Sequence, residues 1–227
     1  MPIAYDHIIP WGRSFDEYVS MFSLTEQDLE KKILGCGDGP ACFNAGMKSQ
    51  GKRVTSIDPI YQFSKQELKQ RINDVYPVVL EQTRQNQDKF VWENITSIED
   101  LGEKRMASMT LFLEDYDNGK SEGRYINAEL PVIQFKDNEF DLALCSHFLF
   151  LYSENMDESF HIQSVTELCR VAKEVRIFPI VDLNAVCSPH VDSVCTCMQE
   201  IGYRVTIEPT GYRFQKGRNE MMKIIKP

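Results

Sequence analysis

Apolar positions first recur at helical spacing over residues 14–30, where Phe15, Tyr18, Val19 and Phe22 are followed by Leu24 and Leu29. Ser14 and Glu17 stand at the capping-box spacing, which satisfies two free amides at a helix start, so an N-terminal helical segment is predicted here. The period then changes. Ile33-Leu34 runs into Gly35-Cys36-Gly37-Asp38-Gly39-Pro40 and restarts at Ala41-Cys42-Phe43-Asn44-Ala45, which reads as a short strand, a glycine-broken turn and a helix. A second strand, Arg53 to Ile57, ends at Asp58. From Tyr61 to about Gly123, Leu68, Ile72, Val75, Val79, Leu80, Ile98, Leu101, Met106, Met109 and Leu113 mark two or three amphipathic helices with no strand between them. Strands resume at 125–128, 140–145 and 175–181, with a helix over 159–172 between the last two. A helix over 191–201 precedes two final strands, 203–208 and 221–225, joined as a hairpin by a Gly- and charge-rich turn.

Strands alternating with helices and closing in a hairpin predict an α/β fold with a mostly parallel sheet covered on both faces. Nothing in the pattern separates independent domains, so residues 1–227 are expected to form one domain, with an N-terminal helical segment over 1–30 and a helical cap over 61–123 inserted between strands 2 and 3. No apolar run reaches the length of a membrane span and the first residues lack a signal-peptide pattern, so a soluble, cytoplasmic protein without a membrane partner is expected. The 25 Lys and Arg against 34 Asp and Glu leave a net charge of −9, which repels phosphate backbones and disfavours nucleic acid as a partner. Seven cysteines, an odd number, fit free thiols in a reducing compartment. Cys187, His190, Cys195 and Cys197 have metal-binding chemistry, but a helix over 191–201 turns Cys195 and Cys197 roughly 200° apart, and no metal is expected.

In an open α/β sheet the ligand sits outside the carboxyl ends of the strands, where a Gly-rich first turn lets the backbone approach it and an acid after the second strand takes ribose hydroxyls. Gly35, Gly37 and Gly39 supply the turn and Asp58 the acid. A dinucleotide fingerprint needs a third glycine, where this chain has Cys42 counted from Gly37, or Pro40 counted from Gly35. A nicotinamide-dependent reductase is thereby disfavoured.

The turn Gly35 to Ala41, the strand Val54 to Asp58, and above all Glu129-Leu130-Pro131 running to Asp137-Asn138-Glu139-Phe140-Asp141 resemble the class I S-adenosylmethionine-dependent methyltransferase family. The resemblance spans about residues 30–60 and 123–227. It implies a seven-stranded Rossmann-like sheet and S-adenosyl-L-methionine as cofactor, with Gly37 and Gly39 clearing room for its methionine half. It further implies Asp58 on the ribose, Glu129 and the Leu130 amide beside the adenine, and Cys145 at the end of the fourth strand against the cofactor. The family's first-motif acid commonly precedes the second-strand acid by 23 residues, and that position is Gly35 here. Asp38 is the candidate substitute.

The segment after the fourth strand, Cys145-Ser146-His147-Phe148, faces the transferred methyl group in this family, and His147 is the candidate base because imidazole titrates near neutral pH. The Pro-Pro signature of members that methylate base amino groups is absent from it. The cap and the N-terminal helix are expected to wall the acceptor pocket, with Trp11, Phe15, Tyr18, Tyr61, Phe63, Tyr76, Phe90 and Trp92 as material. The expectation is an enzyme transferring a methyl group to a small or medium-sized molecule whose identity, like the oligomeric state, the sequence leaves open. A cofactor-binding protein without catalysis, acting as a regulatory or scaffold partner, is the rival, kept alive by Gly35.

Overall fold

The structure is a computed structural model and describes residues 9–217 and 219–226. The N-terminal segment forms two helices, α1 (Phe15–Met21) and α2 (Glu26–Leu29), each opened by a capping box, Ser14 with Glu17 and Thr25 with Asp28. Ser23 has a positive φ of 48° between them, which ends one helix before the next begins. Residues 1–8 of this predicted segment lie outside the described residues.

Strands β1 (Ile33–Cys36), β2 (Val54–Ile57), β3 (Tyr125–Ile126), β4 (Phe140–Ser146) and β5 (Ala172–Phe178) run parallel, and β6 (Arg204–Pro209) and β7 (Glu220–Ile225) form an antiparallel pair in which β7 joins β5. The sheet is seven-stranded, in the order β3-β2-β1-β4-β5-β7-β6. Helices α3 (Phe43–Ser49), α6 (Glu158–Val171) and α7 (Val191–Glu200) complete the α/β layers, while α4 (Lys65–Gln85) and α5 (Ile98–Ser121) lie between β2 and β3 in the chain. Strand alternation divides the core between the two faces. Leu34, Ala143 and Cys145 join the cluster under α6 and α7, whereas Ile33, Leu142 and Leu144 join Tyr18, Phe22 and Phe43 on the other side.

Strand β5 begins three residues before its expected start, because α6 stops at Val171 and Ala172 is already extended and paired with Phe140. It ends at Phe178, before Pro179, which has no amide to give to a ladder. Strand β3 is two residues long and not four; the chain from Ala128 turns away to line a cavity.

Candidate functional site

The parallel register sets the carboxyl ends of three strands side by side: Cys36 pairs with Ile57 of β2 and with Cys145 of β4. The chain leaving each strand therefore opens on one cavity of about 640 Å3, lined among others by Gly37, Asp38, Gly39, Asp58 and His147. Gly37 and Gly39 adopt positive φ of 68° and 52°, and a Cβ on Gly37 would sit 2.8 Å from the Phe148 Cβ, so the turn is tight enough to require glycine. The Gly39 amide donates to Asp58 Oδ2 and the Ile60 amide to Oδ1, both at 2.9 Å, which locks the carboxylate at the mouth of the turn. Each oxygen keeps a further lone pair for a hydroxyl donor.

Asp38 is 6% exposed. Its Oδ1 accepts from the Tyr18 hydroxyl at 2.8 Å and its Oδ2 from Ser56 Oγ at 2.6 Å. A Cβ on Gly35 would fall 1.9 Å from Asp38 Oδ2. The Asp38 carboxylate thus fills the space that a side chain at position 35 would take, and the glycine is what admits it. Burial pushes Asp38 up to about 7, with the Asp58 charge adding to the rise, and burial pushes Asp58 up to about 6.

Aromatic side chains also line the cavity, and a second polar cluster reaches it through Arg13 and Tyr212. Arg105, on α5 and fully buried, forks onto Glu17 through both terminal nitrogens, the Nη2 contact to Oε1 being 2.6 Å. The Tyr212 hydroxyl donates to the same Oε1 at 2.9 Å and the Ser14 amide to Oε2 at 2.8 Å, which fills the carboxylate. Arginine's pull holds Glu17 down at about 2 against the rise that burial alone would give. Beside it, Arg13 lines the cavity. Its Nη1 donates to the Trp11 carbonyl at 2.9 Å, and its buried Nε has no partner. His147 holds a positive φ of 50°, its amide bonded to the Phe178 carbonyl at 2.7 Å and its Nδ1 3.1 Å from Ser146 Oγ. Burial first, then the Arg13 and Arg105 charges, hold its pKa well below the ordinary histidine value, so the ring is neutral at pH 7.

The residues expected at a cofactor do not all reach the cavity. Gly37, Asp38, Gly39, Asp58, Glu129 and Leu130 line it, as does His147. Gly35 and Cys145 do not: Gly35 lies beneath Asp38, and Cys145 is a fully buried free thiol in hydrogen-bond contact with the Cys36 thiol. Ser146, one residue on and pointing to the opposite face, takes the place expected of Cys145. Of the expected wall aromatics, Trp11, Tyr18 and Phe90 line the cavity, whereas Tyr61 and Phe63 pack under α5 and Phe15 stacks on Phe43. Sequence reasoning missed Arg13, Arg105 and Tyr212. Arg105 had a legible signal, because it falls on the stripe Ile98, Leu101, Met109, Phe112 and Tyr116 that α5 buries. Among the described residues no group of three or more His, Cys, Asp and Glu is gathered to hold a metal ion, and no helix is long and apolar enough to cross a membrane.

No protein-family model matches the chain. An uncharacterized protein of Methanocaldococcus jannaschii is 34% identical over 214 residues, which cover 94% of this chain and 94% of that protein. The chain belongs to that protein's family. Among solved structures, a methyltransferase from Aquifex aeolicus is 14% identical with a TM-score of 0.44, over 92% of this chain and 87% of its own. The magnesium protoporphyrin IX methyltransferase of Synechocystis, solved with S-adenosylmethionine bound, is 10% identical with a TM-score of 0.48, over 94% of this chain and 78% of its own. The seven-stranded, mostly parallel sheet with its strand order and antiparallel terminal hairpin is the Rossmann-like fold that the motifs implied.

Proposed function

We propose that this protein binds S-adenosyl-L-methionine in the cavity at the ends of β1, β2 and β4 and transfers its methyl group to a small or medium-sized acceptor. The observation that carries the reading is the juxtaposition of the Gly37–Gly39 turn with two acids, the buried Asp38 and the half-buried Asp58, on the lining of one cavity. The donor set suits the cofactor. Asp58 has free acceptor capacity for ribose hydroxyls, Asp38 is a carboxylate for a cation, and Glu129 with the Leu130 amide, on the lining of the same cavity, would read the adenine edge. When bound, S-adenosylmethionine supplies an electrophilic methyl group on a sulfonium, and the protein's part is chiefly alignment. Neutral His147 can accept a proton from an acceptor hydroxyl, thiol or amine, while its depressed pKa makes it release that proton readily to solvent. The helices α4 and α5 contribute Val79, Thr83 and Leu101 to the cavity wall and exclude water from it. Gly35, which favoured a binding protein without catalysis, loses weight as an argument because Asp38 fills its place.

Calorimetric titration with S-adenosylmethionine, S-adenosylhomocysteine and NADH tests the reading. Micromolar binding of the first two and none of NADH is expected, with Asp58→Ala weakening it by about ten- to a hundredfold, the loss of a hydrogen-bonded charge. Turnover to S-adenosylhomocysteine with a metabolite extract distinguishes an enzyme from a binding protein; binding without turnover would favour the non-catalytic reading.

A further inference from the structure

Arg13 is a half-buried cation on the cavity wall with no carboxylate hydrogen-bonded to it among the described residues. Two guanidiniums, Arg13 and Arg105, approach one carboxylate, and that carboxylate is spent: Glu17 accepts from both terminal nitrogens of Arg105, from Tyr212 and from the Ser14 amide. Among the described residues Arg13 keeps a single side-chain hydrogen bond, to the Trp11 carbonyl, and its buried Nε has none. Apart from Arg105 and Glu17, the titratable groups that bear on it are neutral at pH 7, for burial raises the Tyr18, Tyr152 and Tyr212 hydroxyls and lowers His147. A buried guanidinium nitrogen without a hydrogen-bond partner is costly, and a guanidinium's forked donors match a carboxylate. The surface around it is apolar and aromatic, with Phe178, Tyr212 and Phe214 on the same cavity.

We propose that the methyl acceptor is a carboxylate-bearing molecule with an aromatic or similarly apolar body, its carboxylate held by Arg13 beside His147 and Tyr212. The assignment rests on the methyl-transfer reading above and deepens it. An acceptor so held has its body against Phe178 and Phe214 and its reacting atom on the His147 side of the cavity, while a neutral molecule of the same shape leaves Arg13 unpaired.

Phenylacetate and phenylacetamide, equal in shape and different in charge, are the probes, titrated calorimetrically into wild type, Arg13→Gln and Arg13→Lys, with and without saturating S-adenosylhomocysteine. Wild type is expected to bind phenylacetate at least tenfold more tightly than the amide, Arg13→Gln to erase that preference, and Arg13→Lys to keep part of it. The affinity of Arg13→Gln for S-adenosylhomocysteine is expected to match wild type, and its melting temperature without ligand not to fall. Equal binding of the two probes, or no binding of phenylacetate to wild type, overturns the proposal. So does a variant that loses S-adenosylhomocysteine but not 5′-methylthioadenosine, which lacks the amino-acid carboxylate, because Arg13 would then hold the cofactor. Failure of the methyl-transfer reading shows separately, as wild type that binds neither S-adenosylmethionine nor S-adenosylhomocysteine while the phenylacetate preference is still read on the unloaded protein.

Discussion

Asp38 concentrates the chemistry of the glycine turn in one side chain. Its carboxyl is raised to about 7, so the folded protein holds a proton there that the unfolded chain has lost above the ordinary carboxylate range. Its contribution is therefore fully present below about pH 4 and declines as pH rises towards 7. Relative to Asp38→Asn, wild type should lose stability with a slope of at most about 1.4 kcal/mol per pH unit between those limits and none above; urea unfolding of both proteins from pH 4 to 8 measures it. A cation placed against the carboxylate reverses the preference, so cofactor affinity should fall as pH drops below 7, with proton release on binding visible in buffers of different ionisation heat. Glu17 has the opposite character. Held at about 2 by Arg105, it stays ionised throughout, and Glu17→Gln leaves a fully buried guanidinium without its counterion, a change expected to destabilise the fold by about 3–5 kcal/mol in chemical unfolding.

Elements were legible where one face alone decides them. The capping boxes at Ser14 and Ser64, the second unforeseen, open α1 and α4, and Leu68, Ile72 and Val79 are buried along α4 as their spacing predicts. Ser64 is at the exposed start of α4, so Ser64→Ala should cost about 1 kcal/mol and raise amide exchange in the first turn of that helix while leaving the sheet unchanged. The glycine turn is less forgiving. Gly37→Ala meets both a positive φ and the Phe148 side chain, and Gly35→Ala meets the Asp38 carboxylate, so each should weaken cofactor binding at least tenfold, the second by displacing Asp38. Restoring an acid at position 35 should likewise weaken binding and not strengthen it, a contrast measurable by titrating Gly35→Asp beside wild type.

At the scale of the molecule, the cavity is assembled from segments far apart in sequence: the turn after β1, the loop after β4, the helices between β2 and β3, and the β6–β7 connection that carries Tyr212 and Phe214. A ligand bridging them should stabilise the whole fold, and at a hundredfold excess over its dissociation constant S-adenosylhomocysteine should add about 2.7 kcal/mol, a rise of roughly 5–10 °C in melting temperature for a chain of this length. The sequence by itself determined the alternation of strands and helices, the parallel sheet, the terminal hairpin, the helices before β3 and most of the wall that Gly37, Gly39, Asp58, Glu129 and His147 form, because periodicity and local turn chemistry act within a few residues. Only tertiary structure decided that Asp38 fills the space above Gly35, that Cys145 turns into the core while Ser146 faces the cavity, and that Arg105 consumes the hydrogen-bonding capacity of Glu17 and leaves Arg13 without a carboxylate hydrogen bond among the described residues. Those outcomes depend on strand register and on charges brought together across 88 residues of chain, and no local pattern encodes a charge balance that exists only once the segments meet.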